Sequence, residues 1–310
     1  MSVESERSEL SVIVCTQNRA ECAIACIETL LRQPHAEALD IIVVDNASRP
    51  QQREQLGAAL ASKPVRLFDE ARAGVSYARN YGFSLARSNW VAYLDDDALP
   101  FPDWTERALE LVARDEPHVG LIGGAVLPRW PKLANQAQVD PTRLGDRWLT
   151  LLSLIDSERR PHGSAVPEIV ACNMLVRRNL LEEVGGFPTN LGRTPGSLLG
   201  GEEIAVARLV AERGFAVRFD PELRVYHQIH AERLGTDWVR RRAEAEGELL
   251  WKCAPSAATT AKVILSIPYL ALASGLRGFR DRKPRNYDFH VRLWNNLGFL
   301  KSALSSVLQK

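Results

Sequence analysis

Three consecutive carboxylates, Asp95-Asp96-Asp97, close the apolar run Trp90-Val91-Ala92-Tyr93-Leu94. Side by side at a strand end they repel one another unless a cation sits among them, and hard oxygen donors suit Mg²⁺ or Mn²⁺. A divalent ion carrying phosphate is the simplest chemistry for this turn. A solvated acidic turn ahead of a helix accounts for the same residues, since acidic side chains favour helix N-termini. The surroundings must decide. Asp45-Asn46 closes the run from Leu39 to Val44, and Thr16-Gln17-Asn18-Arg19 follows the run from Leu10 to Cys15. Asp45 also suits a turn with Asn46 and Ser48.

These groups need elements that bring them together. Leu10–Cys15 and Leu39–Val44 are short β-branched runs of the kind that form strands buried on both faces. Val65–Phe68 and Trp90–Leu94 read as further strands, and helices are expected over Ala20–Arg32, Gln51–Ala61 and Val75–Arg87. Strand and helix in alternation imply right-handed crossovers and a mainly parallel sheet flanked by helices, the α/β class. Ligands of such sheets lie outside the carboxyl ends of the strands. Residues 16–19, Asp45 and residues 95–97 all fall there, a convergence that a solvated acidic turn does not predict. The Gly-x-Gly-x-x-Gly turn and the P-loop are missing after the first strand, so phosphates must be held by metal and side chains. An EF-hand fails because the aspartates are consecutive. A phosphatase with a strand-end aspartate as nucleophile stays open on spacing alone.

With 310 residues, 45% of them hydrophobic, the chain buries a substantial core and is expected to form one large domain or a domain with an appendage. A formal net charge of +1 lacks the basic face of a nucleic-acid binder, so no nucleic-acid partner is expected. Residues 1–9 are polar and no signal-peptide region follows them, which with five unframed cysteines leads us to expect a cytoplasmic protein. Cys22 and Cys26 share a helix face without two further ligands nearby, which favours buried thiols over zinc.

Seven segments resemble, in order and spacing, the motifs of family 2 glycosyltransferases of the GT-A fold. They are Val12–Arg19, Val43–Ser48, Gly74–Gly82, Leu94–Pro100, Cys172–Arg178, Gly185-Gly186-Phe187 and Gly200-Gly201-Glu202-Glu203. The resemblance covers about residues 10–230. It implies an inverting hexosyltransferase-like enzyme of class EC 2.4 that uses a nucleoside-diphosphate sugar and a divalent metal, Mg²⁺ or Mn²⁺. It assigns the nucleotide base to Asp45, direct metal ligation to Asp97, and a ribose or water-mediated metal contact to Asp95. Thr16, Asn18, Arg19, Asn46, Arg79, Asp96 and Asn173 complete the expected donor-binding set; from the third helix Arg79 reaches Asp95 or a donor phosphate, and a surface or scaffold ion pair accounts for it nearly as well. The general base falls on Glu203, where the family usually carries Asp, with Glu202 as second candidate. Both also suit the first turn of a helix. His227, which makes a His-x-x-His spacing with His230, falls where some metal-dependent GT-A enzymes place a histidine on the metal or leaving phosphate. An ordinary hydrogen-bonded histidine accounts for it equally.

Residues 129–167 break the alternation, and Trp130 and Trp148 there suit either acceptor stacking or local core. Thr189–Leu199, rich in Gly and Pro, reads as a closing segment. Beyond about Gly235, Trp238–Trp251 reads as a charged helix, and the apolar stretch Val263–Ala273 contains Pro268 and is too short to span a bilayer. Arg277, Arg280, Arg282, Lys283 and Arg285 follow, so a helix pair on an anionic membrane face and a helical dimer interface are both open. The expected organisation is a flexible terminus at 1–9 and a catalytic domain at 10–234, split near 126 into donor and acceptor halves. A C-terminal helical extension occupies 235–310. The expected partners are the donor and a saccharide or lipid-linked acceptor. A nucleotidyltransferase would need a basic glycine-rich N-terminal loop that the sequence lacks. A non-catalytic nucleotide-sugar binder would not need the carboxylates at Asp45, Asp95, Asp97 and Glu203.

Overall fold

The β-branched runs form the centre of the sheet. In the computed structural model, which describes residues 8–114, 116–131, 144–156, 169–253, 255–277 and 284–308, β1 (Leu10–Thr16) lies parallel between β2 (Leu39–Asn46) and β4 (Trp90–Asp95). Strand β3 (Arg66–Glu70) adds to β2, also parallel. Helices α1 (Ala20–Leu31), α2 (Pro50–Leu60) and α3 (Val75–Leu85) make the crossovers. Val12, Ile13, Val14, Ile42, Val43 and Val44 are fully buried, as strands covered on both faces require.

Beyond β4 the alternation ends and the pairing turns antiparallel. Strand β7 (Asn173–Arg177) pairs antiparallel with β4 and with β6 (Val119–Arg129), and β5 (Ala98–Pro100) pairs antiparallel with β8 (Ala216–Gln228). The eight-stranded order is β3-β2-β1-β4-β7-β6-β8-β5, a mixed sheet whose parallel half is the one the alternating pattern marks. Three helices accompany this half: α4 (Trp104–Ala113), α6 (Arg178–Glu183) and α7 (Glu202–Glu212). One apolar cluster joins Ile13, Tyr93, Met174, Phe187 and Val206, with the Tyr93 and Phe187 rings edge to face at 5.0 Å.

The chain forms two compact units. One is Met1–Pro128, Ile155–Pro195 and Glu202–Gln228; the other is Arg129–Leu154, Gly196–Gly201 and Ile229–Lys310. Residues 129–154 thus fall with the C-terminal helices, although the sequence pattern groups them with the catalytic region. The second unit holds α5 (Asp146–Leu151), α8 (Thr236–Cys253), α9 (Ala257–Arg277) and α10 (Pro284–Leu308). Trp148 is fully buried in α5 and serves as local core. Helices α8 and α10 approach at two glycines. A Cβ on Gly247 would stand 1.8 Å from the Asn295 carbonyl oxygen, and one on Gly298 would stand 2.0 Å from that of Glu244. Helix α9 continues through Pro268, and its stretch Ala257–Ser274 is long and apolar enough to cross a membrane by length and composition, where the sequence led us to expect one too short.

Candidate active site

Register brings three strand ends into line. Thr16 lies opposite Asp45 across β1 and β2, and Cys15 lies opposite Asp95 across β1 and β4. The polar residues that follow each strand therefore share the carboxyl edge of the parallel half. Behind them, burial pushes Cys15 up to about 12 and raises Cys26 and Cys172 well above the ordinary thiol range, which favours the uncharged thiols.

The aspartate triplet divides into one partly exposed and two buried carboxylates. The Asp95 side chain is 33% exposed, whereas those of Asp96 and Asp97 are 0% and 1% exposed. Arg19, just before α1, lies across the buried pair. Its Nη1 donates to Asp97 Oδ2 at 2.6 Å, its Nε to Asp96 Oδ2 at 3.1 Å, and its Nη2 to Asp96 Oδ1. Thr16 Oγ1 donates to Asp96 Oδ2 at 2.7 Å. Burial pushes Asp96 up to about 7 against the pull of Arg19, with Asp97 adding like-charge repulsion. Thr16 and Asp96 are thus occupied with each other and with Arg19.

The second oxygen of Asp97 meets His227, with Oδ1 and Nε2 3.3 Å apart. Strand β5 explains this meeting. Ala98 lies opposite His227, and the Gln228 amide donates to the Asp97 carbonyl at 2.9 Å. A strand of three residues carries no readable alternation, so the sequence could place His227 here only through the family resemblance. Among the described residues no three His, Cys, Asp or Glu side chains are disposed to enclose a metal ion. Asp97 and His227 nevertheless make a donor pair that fits a small divalent cation. Such an ion takes one or two protein ligands and completes its shell with phosphate oxygens and water.

Asp45 is buried. Its Oδ1 accepts from the Ser48 amide at 3.2 Å and its Oδ2 from Arg53 Nε at 3.2 Å, and Arg53 also reaches Asp69 Oδ1 at 3.1 Å. The turn role and the carboxylate role are combined in one side chain. Arg53 escaped the sequence reading; its signal is a cation on α2, eight residues beyond Asp45. Asn18, with φ of 56°, ties two loops: its amide donates to Ser48 Oγ at 2.8 Å and its Oδ1 accepts from the Arg49 amide at 2.8 Å.

Two residues expected to bind the donor have their side chains committed elsewhere. Asn46 donates to the carbonyls of Glu70 and Arg72 and accepts from the Gly74 amide, which fixes the turn into α3. Asn173 accepts from Trp104 Nε1 at 2.9 Å and donates to the carbonyls of Ala125 at 3.1 Å and Leu223 at 2.7 Å. It is a fully buried clamp among β6, β7 and β8. The segment 189–195 packs on the start of α3, with Val75 donating to the Arg193 carbonyl at 3.0 Å and Ser76 Oγ to that of Leu191 at 2.9 Å.

Arg79 joins the two acidic groups. From α3 its Nη2 donates to Asp95 Oδ1 at 2.9 Å and its Nη1 to Glu202 Oε1 at 2.5 Å, with the guanidinium 5.5 Å from the centre of the Phe187 ring. Arg79 and Glu202 are both buried. Glu203, next in the first turn of α7, is half-buried. The two glutamates therefore differ: one is held by a buried cation, and the other is the more accessible acid at a helix N-terminus.

Residues 11–185 match the family described as glycosyl transferase family 2. Among curated proteins, a glucosyl-dolichyl phosphate glucuronosyltransferase of Haloferax volcanii is 28% identical over 77% of this chain and 75% of its own length. The succinoglycan biosynthesis protein ExoM of Rhizobium meliloti is 26% identical over 79% of this chain and 74% of its own. Among solved structures, the mannosyltransferase PcManGT of Pyrobaculum calidifontis, in complex with GDP-Man and Mn²⁺, superposes with a TM-score of 0.61. It is 19% identical, covers 95% of this chain and 87% of its own, and agrees in fold. With the family match spanning more than half its length, the chain belongs to glycosyl transferase family 2.

Proposed function

We propose that the chain transfers a sugar, with inversion, from a nucleoside diphosphate donor to a hydroxyl of a saccharide or lipid-linked acceptor. The observation that carries this reading is Arg79, a buried cation held at once by Asp95 at the donor edge and by Glu202 beside Glu203. It makes one site of two acidic groups far apart in sequence. In this reading Asp45 receives a base N–H, Asp95 a ribose hydroxyl, and Glu203 Oε the proton of the acceptor hydroxyl as its oxygen attacks the anomeric carbon. The new C–O bond forms as the bond to the diphosphate oxygen breaks on the opposite face, which inverts the centre. Asp97 and His227 would hold a divalent ion, which when bound neutralises charge on the leaving diphosphate. The Mn²⁺ in the Pyrobaculum mannosyltransferase complex supports this cofactor, and the relatives' names support a saccharide or dolichyl-phosphate-linked acceptor.

The test is Glu203→Gln, which keeps size and much of the hydrogen bonding. Turnover with a competent donor and acceptor should fall about 10²- to 10⁴-fold while donor affinity holds. Normal turnover in this variant, with loss in a folded Glu202→Gln that still binds donor, would move the base to the neighbour. Normal turnover in both would overturn the mechanism.

A further inference from the structure

Helix α9 is amphipathic the wrong way round for a helix packed in water. Leu265, Leu272, Tyr269 and Ile264 are 78%, 61%, 60% and 51% exposed, and with Ala261 and Pro268 they fall on one helical face. On the opposite face Ser266 Oγ accepts from Asn296 Nδ2 of α10 at 2.7 Å, and Ser274 and Leu270 are buried. Two serine hydroxyls thus point inward, while most of the large apolar side chains point outward. Over residues 257–274 the mean hydropathy is 1.3, yet only 11% of that window is buried. At the α8–α9 corner a shallow cleft of about 430 Å³, lined chiefly by Trp251, Pro255, Ala257, Ala261 and Ile264, continues the apolar surface.

Charge identifies the occupant. No charged residue occurs from 263 to 276, Lys262 precedes this stretch, and the sequence after it carries Arg277, Arg280, Arg282, Lys283 and Arg285 against a single acid, Asp281. A second copy seated on the face would bring a like basic run with it, whereas an anionic lipid surface is complementary. The uncharged stretch makes about 21 Å of helix at 1.5 Å per residue, short of the ~30 Å hydrocarbon core. The whole helix of 21 residues is long and apolar enough to cross, but Lys262 lies within it and its Ser266 face is bonded to α10, which leaves one apolar face for lipid, as in a helix lying in the interface. We propose that α9 lies flat in the interface of a membrane containing anionic lipid, its Leu265–Leu272 face among the acyl chains and the following basic sequence attracted to the headgroups.

Flotation of the full chain with phosphatidylcholine vesicles, with and without phosphatidylglycerol, tests this, alongside sedimentation velocity. The chain should float with the anionic vesicles, less with neutral ones, and less again in high salt. Leu265→Glu with Leu272→Glu should weaken partitioning about 100-fold, roughly tenfold for each leucine withdrawn from hydrocarbon. The variant should keep its circular dichroism and nucleoside diphosphate binding. Should the pair of glutamates impair folding, the pair Leu265→Ser and Leu272→Ser should shift partitioning in the same direction. No flotation of the unaltered chain, or equal flotation of the folded variants, overturns the proposal. So does a dimer that the variants dissolve without any vesicle binding.

Discussion

Glu202 and Glu203 are adjacent and chemically alike, yet the fold gives them opposite surroundings. Glu202 is sealed against Arg79, and losing its charge leaves that buried cation with Asp95 as its remaining carboxylate partner, at a cost of about 1–3 kcal/mol for a weakened charged hydrogen bond. Glu202→Gln should therefore lower stability by about that amount in chemical denaturation. It should also weaken nucleoside diphosphate binding, because Arg79 loses one of the two anchors that aim it at Asp95. A pure base would change turnover with neither effect. At Asp97 the expectation is a lost response: nucleoside diphosphate affinity that falls on EDTA treatment in the unaltered chain should be weak and EDTA-insensitive in Asp97→Ala, measured by calorimetry. Affinity unchanged by both treatments would remove the metal from the mechanism. The triplet was legible in the sequence because three neighbouring like charges demand an explanation. The Arg79–Glu202 pair was not, since 123 residues separate its members and only packing brings them together.

The parallel strands were legible for a related reason: doubly buried strands read as near-continuous apolar runs, and β1, β2 and β4 do so apart from Ser11, Asp40 and their polar ends. The antiparallel half left weaker marks. Strand β5 has three residues and β7 ends in Arg177, and the placement of Asn173 as a clamp depends on which strands surround it. The connection of α4 to β8 is also tertiary. Burial alone would raise the Asp220 carboxyl, but Arg107 and the amides of Glu222 and Leu223 outweigh it and hold it below the ordinary range. A carboxyl whose folded pKa is depressed contributes stability above its unfolded pKa, and that contribution disappears as pH falls through the folded value. Asp220→Asn should therefore be less stable than the parent by about 2 kcal/mol at neutral pH. The gap should narrow in denaturation curves as the pH falls below the ordinary aspartate range. A gap that stays constant as acid is added would mean the clamp acts by shape and not by charge.

At the scale of the molecule, every residue given a role in donor binding or catalysis lies in one compact unit, while α8, α9 and α10 lie in the other. Residues 144–154 and 196–201 fall in the helical unit although no local pattern in the sequence groups them with it. The division yields a separable prediction. Gly247 admits no side chain, since its Cβ would meet the Asn295 carbonyl at 1.8 Å, and backbone on a facing helix cannot turn aside as a flexible side chain does. Gly247→Ala must push α8 off α10, at a cost of about 1–3 kcal/mol by overpacking that outweighs the better helix propensity of alanine. Hydrogen exchange should show amides of α8 and α10 losing protection while those of β1, β2 and β4 keep theirs. Nucleoside diphosphate binding should persist, because Asp45, Arg79 and residues 95–97 are untouched. Loss of that binding together with exchange across the whole sheet would mean that the two units fold as one cooperative body, and that the donor site depends on the helices it does not contain.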